Sequence, residues 1–145
     1  GRLNYNAENS ECYYKNNCVG YGRYYRPDSK ELVCPEGWRL PTRDDFEELF
    51  DAVGGYGYAG RALKSSNGWF NNGNGTDAFG FNVLPAGIRF DDGSFDGLGA
   101  GTDFWSATES NLEQAFSLYA SYENEYSGVM DYGKNYAFSI RCVKD

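Results

Sequence analysis

Cys34-Pro35-Glu36-Gly37-Trp38-Arg39-Leu40-Pro41-Thr42 carries the chain from a cysteine-anchored loop into a helix, and its reading organises the rest. Thr42 is a natural N-cap, and Asp45 three residues on makes an acidic capping box. Asp44, Asp45, Glu47 and Glu48 crowd the first turns, where the helix dipole favours negative charge. Phe46, Leu49, Phe50 and Val53 fall at i, i+3, i+4 and i+7, a single apolar stripe. Gly54-Gly55 supplies the stop. The spacing predicts a helix of roughly 12 residues. We read Cys34 as tied to Cys142, at the far end of the chain.

Composition sets limits around that helix. With 145 residues the chain is long enough for one domain with a real core. Its 13 Tyr, 10 Phe and 3 Trp imply a core built largely of flat rings. A net charge of −8 argues against nucleic acid and against a polybasic membrane patch. No apolar run approaches a membrane span, so no direct membrane insertion is expected. Four cysteines allow three pairings. Cys12 and Cys18 are too far apart for a zinc-type pair, and there is no His to complete one. We read two disulfides, Cys12 closing a small loop with Cys18, and an oxidising compartment. There is no recognisable signal segment, so an exported form is read as a mature fragment of a longer surface protein.

Outward from the main helix, residues 1–33 read as loops and short strands diluted by Asn4, Asn6, Asn9, Asn16 and Asn17. Tyr21–Tyr25 looks like a strand entering the core, followed by a turn at Arg26-Pro27-Asp28-Ser29. Gly54–Tyr58 reads as a flexible bridge and Ala59–Lys64 as a short second helix with Ala59, Ala62 and Leu63 inward. Asn71–Asp77 is turn chemistry. Phe79–Leu84 and Ile88–Phe90 are strand-like, with a hairpin-type turn at Asp91-Asp92-Gly93-Ser94 and irregular chain over 96–101. Phe104–Ala107 is a strand. Phe116, Leu118 and Ala120 alternate with Ser117, Tyr119 and Ser121, a turn follows at 123–128, and Val129–Tyr132 runs back. Phe138, Ile140 and Cys142 alternate inward, with Ser139 and Arg141 read as outward. Trp38 and Trp105 read as core, while Trp69, beside Gly68 and a polar loop, is left open between core and sugar-stacking ring.

Several ordered motifs carry a family resemblance: Cys34–Thr42, Leu63-Lys64-Ser65 with Gly68-Trp69, Gly75–Phe81, Leu84-Pro85-Ala86-Gly87, Trp105–Glu109 and Ser139–Val143, together with Cys12, Cys18 and Tyr21-Gly22-Arg23. The chain resembles a Fibrobacter succinogenes major paralogous domain over nearly its whole length, and that family is similar to the C-type-lectin-like superfamily. The resemblance implies an α+β, C-type-lectin-like fold spanning 1–145. It would have one main helix, a short second helix, twisted antiparallel strands and long irregular loops, displayed by bacteria outside the cytoplasm. It implies no settled activity. Where the family usually opens with Trp-Met-Ala-Glu-Asn, this chain has Gly1-Arg2-Leu3.

Trp105–Glu109, Ala115 and Arg141-Cys142-Val143 also resemble the C-terminal segment of variable proteins diversified by retroelements. Tyr119, Ser121, Tyr122, Asn124, Tyr126, Ser127, Asp131, Tyr132, Asn135 and Tyr136 are of the residue types such diversification reaches from an Asn codon. On physical grounds alone these residues suit recognition: Tyr offers stiff amphipathic contact area, and Ser and Asn adaptable hydrogen bonds. Solvated strand and turn residues would look the same.

The chemistry is bounded by what is missing. Without His there is no His-based triad, and with all Cys bridged no thiol nucleophile; no enzymatic activity is expected. Asp91, Asp92, Ser94, Asp96 and Asp103 form a candidate Ca²⁺ cluster in a Gly-rich loop, and Asn71, Asn74 and Asp77 a second. Neither follows the EF-hand order, and the Glu-Pro-Asn and Gln-Pro-Asp motifs of sugar-binding C-type lectins are missing. The resulting expectation is an adhesin-type module at a bacterial surface. It would bind a protein or glycan through the Tyr-, Ser-, Asn- and Asp-rich residues of 119–136. The alternatives are a structural surface repeat packing on neighbouring domains and a calcium-dependent lectin.

Overall fold

The computed structural model describes residues 10–12, 18, 20–27 and 34–144. The loops expected within 1–9 and 13–17, and Asp28-Ser29 of the expected turn, lie outside them. Two disulfides form as read, Cys12–Cys18 and Cys34–Cys142. No helix among the described residues is long and apolar enough to cross a membrane.

The helix start is as the residues dictate. Thr42 caps α1 (Arg43–Ala52): its side chain accepts from Asp45 N at 3.1 Å, while the Asp45 carboxylate accepts from Thr42 N at 2.7 Å. Arg39, on the two-residue strand β1 (Trp38–Arg39), adds an ion pair at 2.5 Å. This guanidinium leads the hydrogen bonds that hold the Asp45 carboxyl down at about 2. The strand itself pairs antiparallel with β7 (Val143–Lys144), so the helix start and the C-terminus meet in one ribbon beside the disulfide.

Helix α2 (Tyr56–Leu63) begins three residues earlier than expected, absorbing the supposed bridge at Tyr56–Tyr58. Its Gly60 is required: a Cβ there would collide with the Tyr126 carbonyl oxygen. The carbonyls at its end find donors in the loop that follows, with Thr76 N reaching Arg61 O, Ala78 N reaching Ala62 O and Asp77 N reaching Lys64 O. A 3₁₀ turn at Phe70–Asn72 lies within this loop.

Five strands make the main sheet: β2 (Ala86–Arg89), β3 (Phe95–Leu98), β4 (Gly101–Glu109), β5 (Gln114–Ser121) and β6 (Ser127–Gly133), in the order β3-β2-β4-β5-β6. All neighbours are antiparallel except β2 and β4, which meet in parallel at Gly87 and Thr102. The fold is therefore α+β, with two helices against one sheet. On the helix side Phe104, Leu118 and Ala120 meet Phe46, Phe50, Val53, Ala59, Ala62, Leu63 and Trp69. Burying rings such as Phe50 stabilises the fold by roughly 1.5–3 kcal/mol each. On the opposite side Trp105 and Ala115 meet Tyr25, Phe138 and Ile140. A small third cluster joins Tyr24, Ala86 and Ala137.

Four expectations need correcting. Phe79–Leu84 is not a strand: Val83 alone bridges, to Lys64, and Phe79 is 63% exposed, because Ala78 and Phe79 sit in the turn that closes α2. Residues 96–101 are not irregular but carry β3 and the start of β4, whose glycines read as breakers yet fit the pairing. Tyr24 and Tyr25 enter the core through single bridges to Glu11 and Phe138 rather than as a strand. Trp38 is 45% exposed, since it stands opposite Lys144 on the two-stranded ribbon rather than over the sheet. Trp69 is core: it is buried, and its Nε1 donates to Ser65 Oγ at 3.0 Å.

Candidate functional site: a groove on the open face of the sheet

Register decides which side chains share a face. Asp103 stands opposite Tyr119, Trp105 opposite Ser117, Gly101 opposite Ser121, and across the next ladder Tyr119 is opposite Gly128 and Ala115 opposite Tyr132. All of these project away from the helices. Around Trp105 the face is covered by Tyr25, Phe138 and Ile140. Beyond it the cover ends, and a groove of about 340 Å³ opens between β4–β5 and the β2–β3 hairpin at the sheet's other edge. Tyr119, Ser121, Tyr122 and Tyr132 line it, with Asp103 on its floor and Asp96, Ile88 and Phe90 on the facing wall.

The rings are held, not loose. Tyr119 meets Tyr126 edge-on with centroids 5.8 Å apart, and Tyr122 meets Phe70 at 6.2 Å. Tyr132 is braced by Tyr136 and Phe138. Burial pushes the Tyr119 hydroxyl up to about 12, helped by its neighbour Tyr126, and pushes Tyr132 up as well. Both phenols are therefore neutral donors and acceptors at physiological pH.

Asp103 is 7% exposed and receives one hydrogen bond, from Ser117 Oγ at 3.0 Å. Burial pushes its carboxyl up to about 7, and the Ser117 bond only partly opposes this. Near neutral pH the group is poised between donor and acceptor.

The expected recognition residues divide. Tyr119, Ser121, Tyr122 and Tyr132 come together in the groove, and Tyr126 flanks it. Asp131 lies on the helix side, opposite Phe116, because it is one residue out of phase with Tyr132. Asn124 turns inward: its carbonyl accepts from Lys64 Nζ at 3.0 Å and its Oδ1 is buried without a partner. Tyr136 packs between Phe90 and Tyr132. Asn135 lines a separate polar hollow with Leu112, Glu113 and Lys134.

The candidate calcium sets do not assemble. Among the described residues no three acidic, Cys or His side chains group to hold a metal ion. Asp92 spends Oδ1 on Ser94 N and Oγ, at 2.8 and 2.6 Å, closing the hairpin turn, and Ser94 is the first cause of its lowered pKa. Asp96 caps Gly97 N at 2.7 Å, while Asp103 points to the sheet and Ser117. Asp91 is exposed in the turn. In the second set Asn74 holds Trp69 N and Asp77 holds Asn82 N. These oxygens serve their own loops.

On the facing wall Ile88 and Phe90 were not read as part of a site from sequence, and Asp96 was read only as a calcium ligand. Asp103, on the floor, was likewise read only as a calcium ligand, although it stands directly before the apolar pair Phe104-Trp105 in a strand.

Comparison places the whole chain. The sequence profile of the Fibrobacter succinogenes major domain matches residues 2–144. The chain belongs to this family. No curated protein and no solved structure matches it. Within this Fibrobacter succinogenes major domain the Cys34–Thr42 stretch and the Ser139–Val143 segment meet at the β1–β7 ribbon, and no residue of either lines the groove. Those motifs thus hold the scaffold, and the groove draws on the residues between them.

Proposed function

We propose that the chain is an extracellular ligand-binding module of C-type-lectin-like fold that recognises a protein or glycan at a bacterial cell surface. The observation that carries this reading is the groove itself. Three tyrosines, a serine and three carboxyls, drawn from β3, β4, β6 and the end of β5, line one concavity built on a hydrogen-bonded sheet. Aromatic faces stack on apolar ligand surface, including the C–H faces of sugars, while Ser121, Asp96 and Asp103 select by hydrogen bonds. The braced rings lose little entropy on binding. The two disulfides suit an oxidising location.

The test is a screen of the purified domain against arrayed glycans and surface-protein extracts, with chelator present. Tyr119→Ala and Tyr122→Ala are expected to abolish a hit while the unfolding midpoint stays near that of the parent. A hit that survives both substitutions removes the groove from recognition. Loss of packing onto neighbouring domains, with no ligand found, would support a structural surface repeat instead. A second reading rests on the carboxyl at about 7: a neutral acid in a groove that also holds Asp96 and Glu123 is suited to proton donation. Cleavage of a bound glycan, lost in Asp103→Asn, would identify catalysis.

A further inference from the structure

A second cavity, about 380 Å³, lies on the other side of the molecule between α1, the β1–β7 ribbon and Phe81. Its wall is apolar: Phe46, Leu49 and Ala52 from the helix, with Phe81 and Phe104 across from them. Arg141 also lines it. That guanidinium stacks on Phe81, 4.0 Å from the ring centroid, and stands 5.8 Å from the centroid of Phe104. Its Nη1 donates to the Phe81 carbonyl, and its Nε is buried with no hydrogen-bond partner. Among the described residues no carboxylate forms an ion pair with it; Asp77 acts on it only through a longer-range field, its own Oδ1 being engaged by Asn82 N.

The other charges at this site do not neutralise Arg141. Arg39 and Asp45 already pair with each other, and Lys144 and Glu48 are exposed at the rim. What remains is one under-bonded cation at an apolar wall, in a chain whose net charge is −8. A buried cation short of acceptors is costly, and an entering anion would relieve it at short range. Inorganic anions would leave the apolar wall wet. An apolar body ending in a carboxylate satisfies both parts at once.

We propose that this cavity binds small apolar carboxylates, with Arg141 receiving the carboxylate and the Leu49–Phe81 wall the apolar body. The site is separate from the tyrosine groove and stands or falls independently of it. Two sources present this chemistry, a free fatty-acid-like amphiphile and the C-terminal residue of a peptide.

The experiment is a titration of isotope-labelled protein followed by amide shifts, using sodium octanoate and acetyl-Leu-Phe with its free carboxylate. Octanol and the peptide amide serve as uncharged matches. Saturable shifts at Leu49, Phe81 and Phe104, at least about tenfold weaker for the uncharged match, are expected for one or both acids. Whichever acid saturates names the source. Ala52→Trp, which fills the cavity from the exposed side of α1, should remove the shifts without disturbing Arg141. Arg141→Met should reduce acid binding to the level of the uncharged match if that variant folds. Equal binding of acid and uncharged match, shifts that persist in Ala52→Trp, or no saturation by about 10 mM would each overturn the proposal.

Discussion

Phe104 and Trp105 are neighbours on β4, and their rings are on opposite faces of one sheet. Phe104 enters a layer that two amphipathic helices cover. Trp105 enters a layer covered only by short bridging segments: Tyr25 contributes a carbonyl to Trp105 Nε1 at 2.9 Å, and Phe138 a ring stacked at 4.2 Å. The helix face is filled apart from its edge, where the cavity beneath α1 reaches Phe104. The other face is closed around Trp105 and open from Asp103 to Ser121. A helix covers a sheet continuously because every third or fourth residue adds to one stripe. A strap of isolated bridges covers only where it is pinned. The groove is what the strap leaves uncovered, and its rigidity comes from the sheet under it.

Loosening the pins should therefore damage the strapped face most. Removing Cys34–Cys142 with a double alanine substitution opens a loop of 108 residues, worth about 4–5 kcal/mol by chain entropy. Removing Cys12–Cys18, a separation of 6, should cost about half that. Urea unfolding of the two variants compares them directly, and equal losses would mean the strap is not held by its long closure. Trp105→Ala should cost about 3–5 kcal/mol in the same assay, through a large cavity and the loss of one of the two hydrogen bonds that reach the Tyr25 carbonyl. If it costs much less than Phe104→Ala, the strapped layer is looser than its ring stacking implies.

On the helix side the sharpest probe is Lys64. Its buried ammonium donates to the carbonyls of Gly73, Ser121 and Asn124, at 2.6, 3.0 and 3.0 Å, and lies 5.1 Å from the Trp69 ring centroid. Burial lowers its pKa, opposed by Glu125. It ties the β5–β6 turn to the loop after α2. Lys64→Met keeps the stem and strands three carbonyls, so a loss of about 2–3 kcal/mol is expected in thermal unfolding. A neutral outcome would show the turn to be held by α2 packing alone.

The smallest effect belongs to the open face and is read by pH. Asp103 titrates at about 7 folded against 3.8 unfolded. Between those values the folded state holds the proton and the unfolded state does not. Stability from this group is therefore greatest near pH 4, falls as pH rises to about 7, and is level above. Asp45 acts oppositely and lower, its contribution present above 3.8 and lost toward 2. Asp103→Asn keeps an acceptor for Ser117 and should flatten the fall between pH 4 and 7. A gain on the order of 1–2 kcal/mol at pH 8 is expected, solvent in the groove screening the rest. An unchanged pH profile would place the carboxyl in ordinary solvent contact and take away its role as the groove's poised group.

Much of this was legible locally. Thr42 and Asp45 cap a helix because the atoms involved are three residues apart, and the Phe46–Val53 stripe follows from 3.6-residue periodicity. The two-residue alternation of 115–121 placed Tyr119 and Ser121 together on one face. It also put Ser117 among polar outward residues, whereas the strap buries it. Asp131 was grouped with Tyr132 by composition, although adjacent strand residues face opposite ways. Phe79 looked like strand because its ring is apolar, yet its chain is spent on closing α2.

By itself, then, the sequence determined the capped helix, the strand alternation, the disulfide partners and the family. Each rests on local spacing or on ordered motifs. Only the tertiary structure decided that the β2–β3 hairpin stands across from Tyr119, that Asp103 forms the groove floor, and that Arg141 reaches the cavity wall beneath α1 with its Nε unpaired. Those depend on pairings between residues far apart in the chain, Gly87 with Thr102 and Trp38 with Lys144 among them. No local pattern encodes such distances, because they are set by which faces are left to bury once the helices have taken theirs.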